Sequence, residues 1–347
     1  MKNAAMMSVL IALTSMGWIW YQQHTRISIP ELDLSIRKAD PVRFESSLMR
    51  ALEEYGVMYL NGHGISQPLM KKYLTSNKRV LSVQPGVKQE LESNKSGVTR
   101  GYIAVAGESG SNLTEWKESF SYGFDWNQGK DFPENPLPLE ALNLWPEGMT
   151  QEREDLESIF TKVCEIAFEL CFSTSHALGM DQVAAKALCS GGERISFMRL
   201  FHYLPQDSNK NYTGSSPHTD WGFLTLILPD SEGLEVFHRG RWHRVPHKEG
   251  KLLVNVGDYL SMMSRARVLS PLHRVVLSDS DRYSFVFFFY PNYKADFRSL
   301  LDKSPLQDRF SLLRNQQADS SPSQSLMEFE SFGDFVLHKW KQVQRKQ

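Results

Sequence analysis

From Ile195 to Pro291 the chain is a succession of short strand-like runs separated by turns, and that rhythm limits the folds open to it. Ile195 to Leu204 reads as one strand. Phe223-Leu224-Thr225-Leu226-Ile227-Leu228 has the apolar and β-branched content of a buried one, and Arg282 to Tyr290 closes the series. The predicted class is mainly β with flanking helices, built on a double-stranded β-helix (jelly-roll) core. Ahead of the core, Ser47 to Tyr55 and Pro68 to Val80 read as helices, with a strand at Val57 to Leu60 and a turn at Asn61 to Gly64. Glu152 to Leu178 is the longest helical pattern, with Leu156, Phe160, Val163, Ala167 and Leu170 spaced for one buried face. Ser93–Val98, Ser109–Asn112 and Asp125–Pro138 read as loops, Arg314–Ser325 as a polar linker and Phe332–Val343 as a terminal helix. The resulting order is a hydrophobic leader or membrane anchor at 1–26, an N-terminal region at 27–150, a helical segment at 151–192, the β core at 193–295 and a C-terminal linker and helix at 296–347.

A length of 347 residues suits a single large domain with an elaborated N-terminal half, and by itself would also allow two domains. Hydrophobic content of 41% with 12% aromatics supports a sizeable core, and a net charge of -1 gives no basic footprint for nucleic acid. Cys164, Cys171 and Cys189 are odd in number and lack zinc spacing; Cys164 and Cys171, seven apart in an apparent helix, read as small buried residues, and nothing signals a disulfide framework, which suits a reducing compartment. Ala4 to Tyr21 is an uncharged run ending in Trp18, Trp20 and Tyr21, at the lower length limit for a membrane span. It admits three readings: an anchor, a secretory signal without an evident cleavage site, or a leader. Arg26, Arg37 and Lys38 follow the run against Lys2 before it, which favours a cytoplasmic catalytic domain, membrane-tethered if the run spans.

The chemistry lies between His218 and Ser284. In His218-Thr219-Asp220 the one-residue gap lets both polar groups face one side of a strand and reach one metal. His273 then arrives from a distant strand continued by Val275-Val276-Leu277. Two imidazoles and one carboxylate are the ligand set of a facial non-haem Fe(II) site with open positions for co-substrate and oxygen. A His-x-Asp alone is weak, because many such pairs are a surface acid next to a core histidine. Nine residues after His273 comes Arg282-Tyr283-Ser284, whose first and last members share a strand face and can clamp a carboxylate. Together the three parts are specific. Other groups take plainer readings. Pro246 breaks any helical pairing of His243 with His247, His63 sits in a glycine-flanked turn, and His202 points away from the face of Tyr203. Asn255 to Asp258 reads as a turn in which Asp258 bonds nearby backbone, and Phe285 to Phe289 as barrel core, with Phe288 sharing the face of Arg282 and Ser284.

The stretch from His218 to Leu226, with Gly233-Leu234-Glu235-Val236, Asn255-Val256-Gly257-Asp258, Ser270-Pro271-Leu272-His273-Arg274-Val275 and Arg282-Tyr283-Ser284, resembles the 2-oxoglutarate/Fe(II)-dependent dioxygenase superfamily in its isopenicillin-N-synthase-like branch. Ile29-Pro30-Glu31-Leu32-Asp33, Gly56 to Leu60, His63-Gly64-Ile65 and Arg100-Gly101-Tyr102 extend the resemblance, which covers most of residues 27–340. It implies Fe(II), 2-oxoglutarate and O2 as participants. The iron would sit on His218, Asp220 and His273, the far carboxylate of 2-oxoglutarate on Arg282 and Ser284, and a small organic substrate would be hydroxylated or desaturated as succinate and CO2 are released. Tyr203 is a further co-substrate contact, but the branch's Asn-x-Tyr reads Phe201-x-Tyr203 here, so the amide is gone. Two other functions stay open: an oxidase that uses no 2-oxoglutarate, and a catalytically silent binding module.

Overall fold

Near-continuous apolar runs such as Leu224–Pro229 and Leu252–Val256 give the central strands two buried faces, and the molecule fills both. The structure, a computed structural model, describes residues 28–93, 100–108, 113–207, 210–296 and 329–344. In chain order the first elements are β1 (Glu31–Asp33), α1 (Ile36–Ala39), α2 (Pro41–Tyr55), β2 (Val57–Asn61), α3 (Gln67–Leu81), α4 (Pro85–Glu90), β3 (Gly101–Ile103), β4 (Thr114–Glu115) and β5 (Lys117–Gly123). The helical pair α5 (Thr150–Ala177) and α6 (Gln182–Cys189) follows. Then come β6 (Phe197–Tyr203), β7 (Tyr212–Thr213), β8 (Ser215–His218), β9 (Leu224–Pro229), β10 (Leu234–His238), β11 (Arg241–Arg244) and β12 (Leu252–Val256). The last are α7 (Asp258–Met263), β13 (His273–Val275), β14 (Arg282–Phe289) and α8 (Phe332–Gln344).

One sheet of eight strands runs β1-β2-β12-β9-β14-β6-β5-β3, and a second of four runs β11-β10-β13-β8. The large sheet takes β1, β2, β3 and β5 from the N-terminal half, which ties that half to the core. On β14 the residues Phe285, Phe287 and Phe289 face one way, with Leu224, Leu226 and Leu228 of β9 and Leu252, Val254 and Val256 of β12 beside them; helix residues such as Leu52, Phe160 and Val163 cover them. The alternate residues Val286, Ile227, Leu253, Phe201 and Tyr203 face inward and meet Leu234, Val236 and Val275 of the small sheet. Period-two alternation thus separates a helix-covered face from the interior of the jelly roll. Phe287 is 1% exposed, and burial of such a side chain contributes about 1.5–3 kcal/mol.

The helices follow their local signals. Asp40 accepts a hydrogen bond from the Arg43 amide at 3.0 Å and Pro41 takes the first helical position, so α2 starts six residues before the expected Ser47. It ends on Gly56, whose φ of 67° is the left-handed geometry that glycine adopts without strain. The long helix buries Leu156, Phe160, Val163, Ala167 and Leu170, as their spacing requires.

Two expectations are corrected. Cys171 and Cys189 form a disulfide with Cα atoms 6.1 Å apart, because α5 and α6 pack together across a short link; a single pair 18 residues apart carries no framework pattern to read. Asn255 and Val256 end a strand instead of making a turn, because the alternation of Leu252, Val254 and Val256 carries the strand to the start of α7. The Asp258 carboxylate there accepts from the Thr219 hydroxyl at 3.2 Å and lies 3.5 Å from the Lys339 ammonium, so its partners are side chains and not nearby backbone. Among the described residues no helix is long and apolar enough to cross a membrane. The Ala4–Tyr21 run, residues 94–98, Ser109–Asn112 and Arg314–Ser325 lie outside them.

Candidate metal centre

The two histidines are cross-strand neighbours: in the antiparallel pairing of β8 with β13, His273 stands directly opposite His218, and an irregularity between His273 and Val275 follows. Strand β8 ends at His218, so Asp220 does not share a strand face with it as the His-x-Asp spacing suggested. Asp220 lies in the link to β9, where its carbonyl accepts a hydrogen bond from the Asp258 amide at 2.7 Å. The start of α7 therefore sets the height of the carboxylate.

Asp220 Oδ1 lies 3.9 Å from His218 Nε2, and Asp220 Oδ2 lies 3.8 Å from His273 Nε2. These gaps are too long for hydrogen bonds. With metal–ligand bonds of about 2.1 Å, two ligand atoms on one ion lie no more than about 4.2 Å apart, which both gaps satisfy. The ring nitrogens behind them fix the tautomers. His218 Nδ1 donates to the Ser216 carbonyl at 2.7 Å and His273 Nδ1 to the Pro271 carbonyl at 3.0 Å, so each Nε2 presents a lone pair to the centre. His218 stands at the rim with 45% of its side chain exposed, yet the protein packed around the ring, then the charge of His273, push its imidazole down to about 4 against the opposing pull of Asp220; near neutral pH it is uncharged, the form that ligates. Asp220 is 5% exposed, and its Oδ2 has no hydrogen-bond partner. A buried carboxylate oxygen without a donor is costly, and a cation on the three groups removes that cost. Among the described residues this is the one cluster of three metal-ligating side chains.

The other end of the interior is set by β6 and β14. Their register pairs Arg282 with Tyr203 and Ser284 with Phe201, so Arg282, Ser284 and Tyr203 open onto one inner corner. The Arg282 guanidinium lies 4.9 Å from the centre of the Tyr203 ring, and its Nε reaches the Ser231 carbonyl at 3.4 Å. Its Nη1 is buried without a partner. Burial lowers the Arg282 pKa from its ordinary value, while the nearby Tyr203 and Asp230 work the other way. Ser284, 1% exposed, makes a long 3.4 Å contact to the Phe285 carbonyl. A buried fork with a spare N–H and a weakly engaged hydroxyl are donors that fit a carboxylate. Phe288 stacks on Phe197 at 4.9 Å, across from Thr225.

The remaining histidines stay outside the centre. His202 lies between Glu118 at 2.8 Å and Asp281 at 2.6 Å, His63 contacts the Gly250 carbonyl at 3.1 Å, and His243 the His238 carbonyl at 3.2 Å. Sequence reasoning missed Thr225 and Asn255, which stand opposite each other on β9 and β12. Both are buried, and Thr225 Oγ1 and both polar atoms of the Asn255 side chain have no hydrogen-bond partner. The signal was present: each is a polar residue set between outward-facing apolar ones on a central strand.

Two family models match the chain, the 2OG-Fe(II) oxygenase superfamily over residues 194–291 and the non-haem dioxygenase in morphine synthesis N-terminal over residues 29–148. The chain is 31% identical over 285 residues to a 2-oxoglutarate-dependent dioxygenase of Didymella fabae, covering 76% of this chain and 84% of the relative. Clavatol oxidase of Penicillium crustosum is 30% identical, with 70% and 78% covered. Among solved structures, a protein of the 2OG-Fe(II) oxygenase family from Caulobacter crescentus has TM-score 0.72 at 23% identity, with 91% of this chain and 99% of that chain covered. A full-length Neurospora crassa protein, solved in complex with alpha-KG and thymine, has TM-score 0.67 at 22% identity over 78% and 88%. At these identities the structural likeness concerns the fold.

Proposed function

We propose, for a chain that belongs to the 2-oxoglutarate/Fe(II)-dependent oxygenase superfamily, that His218, Asp220 and His273 hold the iron and that Arg282, Ser284 and Tyr203 receive the far carboxylate of 2-oxoglutarate. The enzyme is an oxidoreductase that uses Fe(II) and 2-oxoglutarate, and its primary substrate is a small molecule. The observation that carries the residue assignment is a pair of orphaned buried atoms of opposite character, Asp220 Oδ2 and Arg282 Nη1. One lacks a cation and the other an anion, and an iron-bound oxo acid supplies both. When bound, the metal and 2-oxoglutarate provide the oxidation, with succinate and CO2 as co-products. The protein holds the two Nε2 lone pairs inward, keeps the Asp220 carboxyl buried between them, fixes one end of the oxo acid by the guanidinium fork and presents a substrate C–H bond at the open side. Hydroxylation or desaturation of that carbon is the reading of the outcome. A further part of the proposal is that Ala4–Tyr21 tethers the catalytic domain to a membrane on its cytoplasmic side, supported by its uncharged length, its terminal aromatics and the basic residues after it.

The test is iron content and turnover in the same preparations. Iron-loaded protein should form succinate from 2-oxoglutarate, and His273→Ala should lose both the bound iron and the succinate while its circular dichroism stays unchanged. Full succinate formation by His273→Ala at equal iron loading sinks the triad assignment.

A further inference from the structure

A line of charges leads away from the metal-side imidazole. His218 Nδ1 meets the Ser216 carbonyl, and the Ser216 amide donates to Glu115 Oε1 at 2.8 Å. Glu115 pairs with Lys117, whose ammonium also donates to the Ser215 hydroxyl at 3.0 Å and lies 3.9 Å from Glu108. Glu108 in turn accepts from Arg199 Nη2 at 2.7 Å. Arg199 stands two residues before Phe201 and four before Tyr203, on the inner face of β6. Its guanidinium is 4.9 Å from the centre of the Phe201 ring, and the Lys117 ammonium is 5.3 Å from the same ring. Two hydrogen bonds to the Ser119 hydroxyl, at 3.1 and 3.0 Å, hold the guanidinium in place.

These groups are two cations and two anions, and they are not equally fixed. Glu115, Lys117 and Arg199 belong to strands β4, β5 and β6. Glu108 belongs to the link after β3, in which Ala106 has a φ of 60°. The Ser216 amide tethers the Glu115 carboxylate to the backbone of β8, whereas Glu108 sits on a loop and meets the side chains of Arg199 and Lys117, and its departure leaves a net charge of +1 around a braced arginine fork. An uncompensated cation at 12% side-chain exposure calls for an anion in its place.

We propose that Arg199 is a specificity residue that takes the carboxylate of a small organic monocarboxylate substrate, with Glu108 occupying that position in the empty enzyme. The inference rests on the reading of His218, Asp220 and His273 as the oxidising centre, since only that reading makes the β6 interior a substrate pocket. The acid would lie over Phe201, with its carboxylate on Arg199 and its carbon skeleton directed toward the metal side.

The experiment is calorimetry on the full chain, kept anaerobic, with Fe(II) and then 2-oxoglutarate titrated first as separate isotherms. The probes are benzoate, phenylacetate and hexanoate beside their methyl esters. At least one acid should bind where its ester does not. Glu108→Gln, a mild loop change, should tighten that acid roughly tenfold by removing its competitor, and Arg199→Gln should abolish the binding, with Arg199→Lys restoring part of it. The affinity for 2-oxoglutarate should stay the same in all three variants. Esters binding as well as acids, unchanged or absent acid binding in Glu108→Gln, or a tenfold loss of 2-oxoglutarate affinity in Arg199→Gln each overturns the assignment. Failure of the first two isotherms in the unmutated enzyme strikes the functional reading instead.

Discussion

Arg282 shows how one side chain separates two kinds of oxidase. Its fork is preorganised and buried, whereas lysine at that position is a point charge on a flexible stem. Arg282→Lys should therefore raise the KM for 2-oxoglutarate about ten- to a hundredfold, the equivalent of about 1.5–3 kcal/mol for a charge-assisted contact. Iron affinity should hardly change. If primary-substrate affinity falls instead and oxygen consumption continues without 2-oxoglutarate, Arg282 binds the substrate and the oxidase alternative stands. His202 gives a pH dependence of a different origin. Burial alone would lower its pKa, but the Glu118 and Asp281 carboxylates outweigh burial and raise it above 6.5. A group raised on folding stabilises the fold fully below its unfolded pKa and loses that contribution as pH rises through the folded one. Asp281 is more than half exposed, so the buried Glu118 supplies most of the effect. His202→Gln should thus cost more stability at about pH 6 than at about pH 9, read from urea midpoints. An equal cost at both values rejects the account.

The elements show what is legible in the sequence and what is hidden from it. Period-two alternation places Arg282 and Ser284 on one face, and the apolar stripe of α5 stands out along the chain, because both follow from local geometry. The spacing of His218 and Asp220 suggests a shared strand and hides the true support of the carboxylate, because that support comes from α7, nearly forty residues later. That contact depends on Gly257. A Cβ added there would lie 2.0 Å from the Gly222 carbonyl oxygen and 2.6 Å from its carbon, both backbone atoms that cannot swing aside. Beside it the Gly257 amide donates to the Phe223 carbonyl at 3.0 Å and the Asp258 amide to that of Asp220. Gly257→Ala should push the 220–223 segment off α7, costing about 1–3 kcal/mol of stability and weakening iron binding. The measurement is iron affinity alongside Tm. Wild-type iron affinity in a variant with lowered Tm would show that the carboxylate is held by other means. The disulfide is hidden for the same reason, since it gains its meaning only from an element brought across the fold; Thr225 and Asn255 are legible one by one as polar residues within apolar strands, and only their pairing is hidden.

At the scale of the whole molecule, the C-terminal helix returns to the metal side. Trp340 meets Trp221 edge-on at 5.1 Å, Lys339 reaches Asp258, and Phe332 packs on Tyr259 and Tyr290. The chain's last described element and its first strands thus belong to one body with the centre inside it, and nine residues separate Tyr21 from the start of β1 at Glu31. An extended link of that length spans about 30–35 Å at most. If Ala4–Tyr21 crosses a bilayer, the catalytic domain is therefore held close to the membrane surface. The full chain should then stay with membranes through an alkaline carbonate wash, while a chain beginning at Ile27 should be released and still bind iron and 2-oxoglutarate with unchanged affinity. Release of the full chain by the wash rejects the tether. Loss of iron binding on removal of the run would assign those residues to the fold instead of to a membrane.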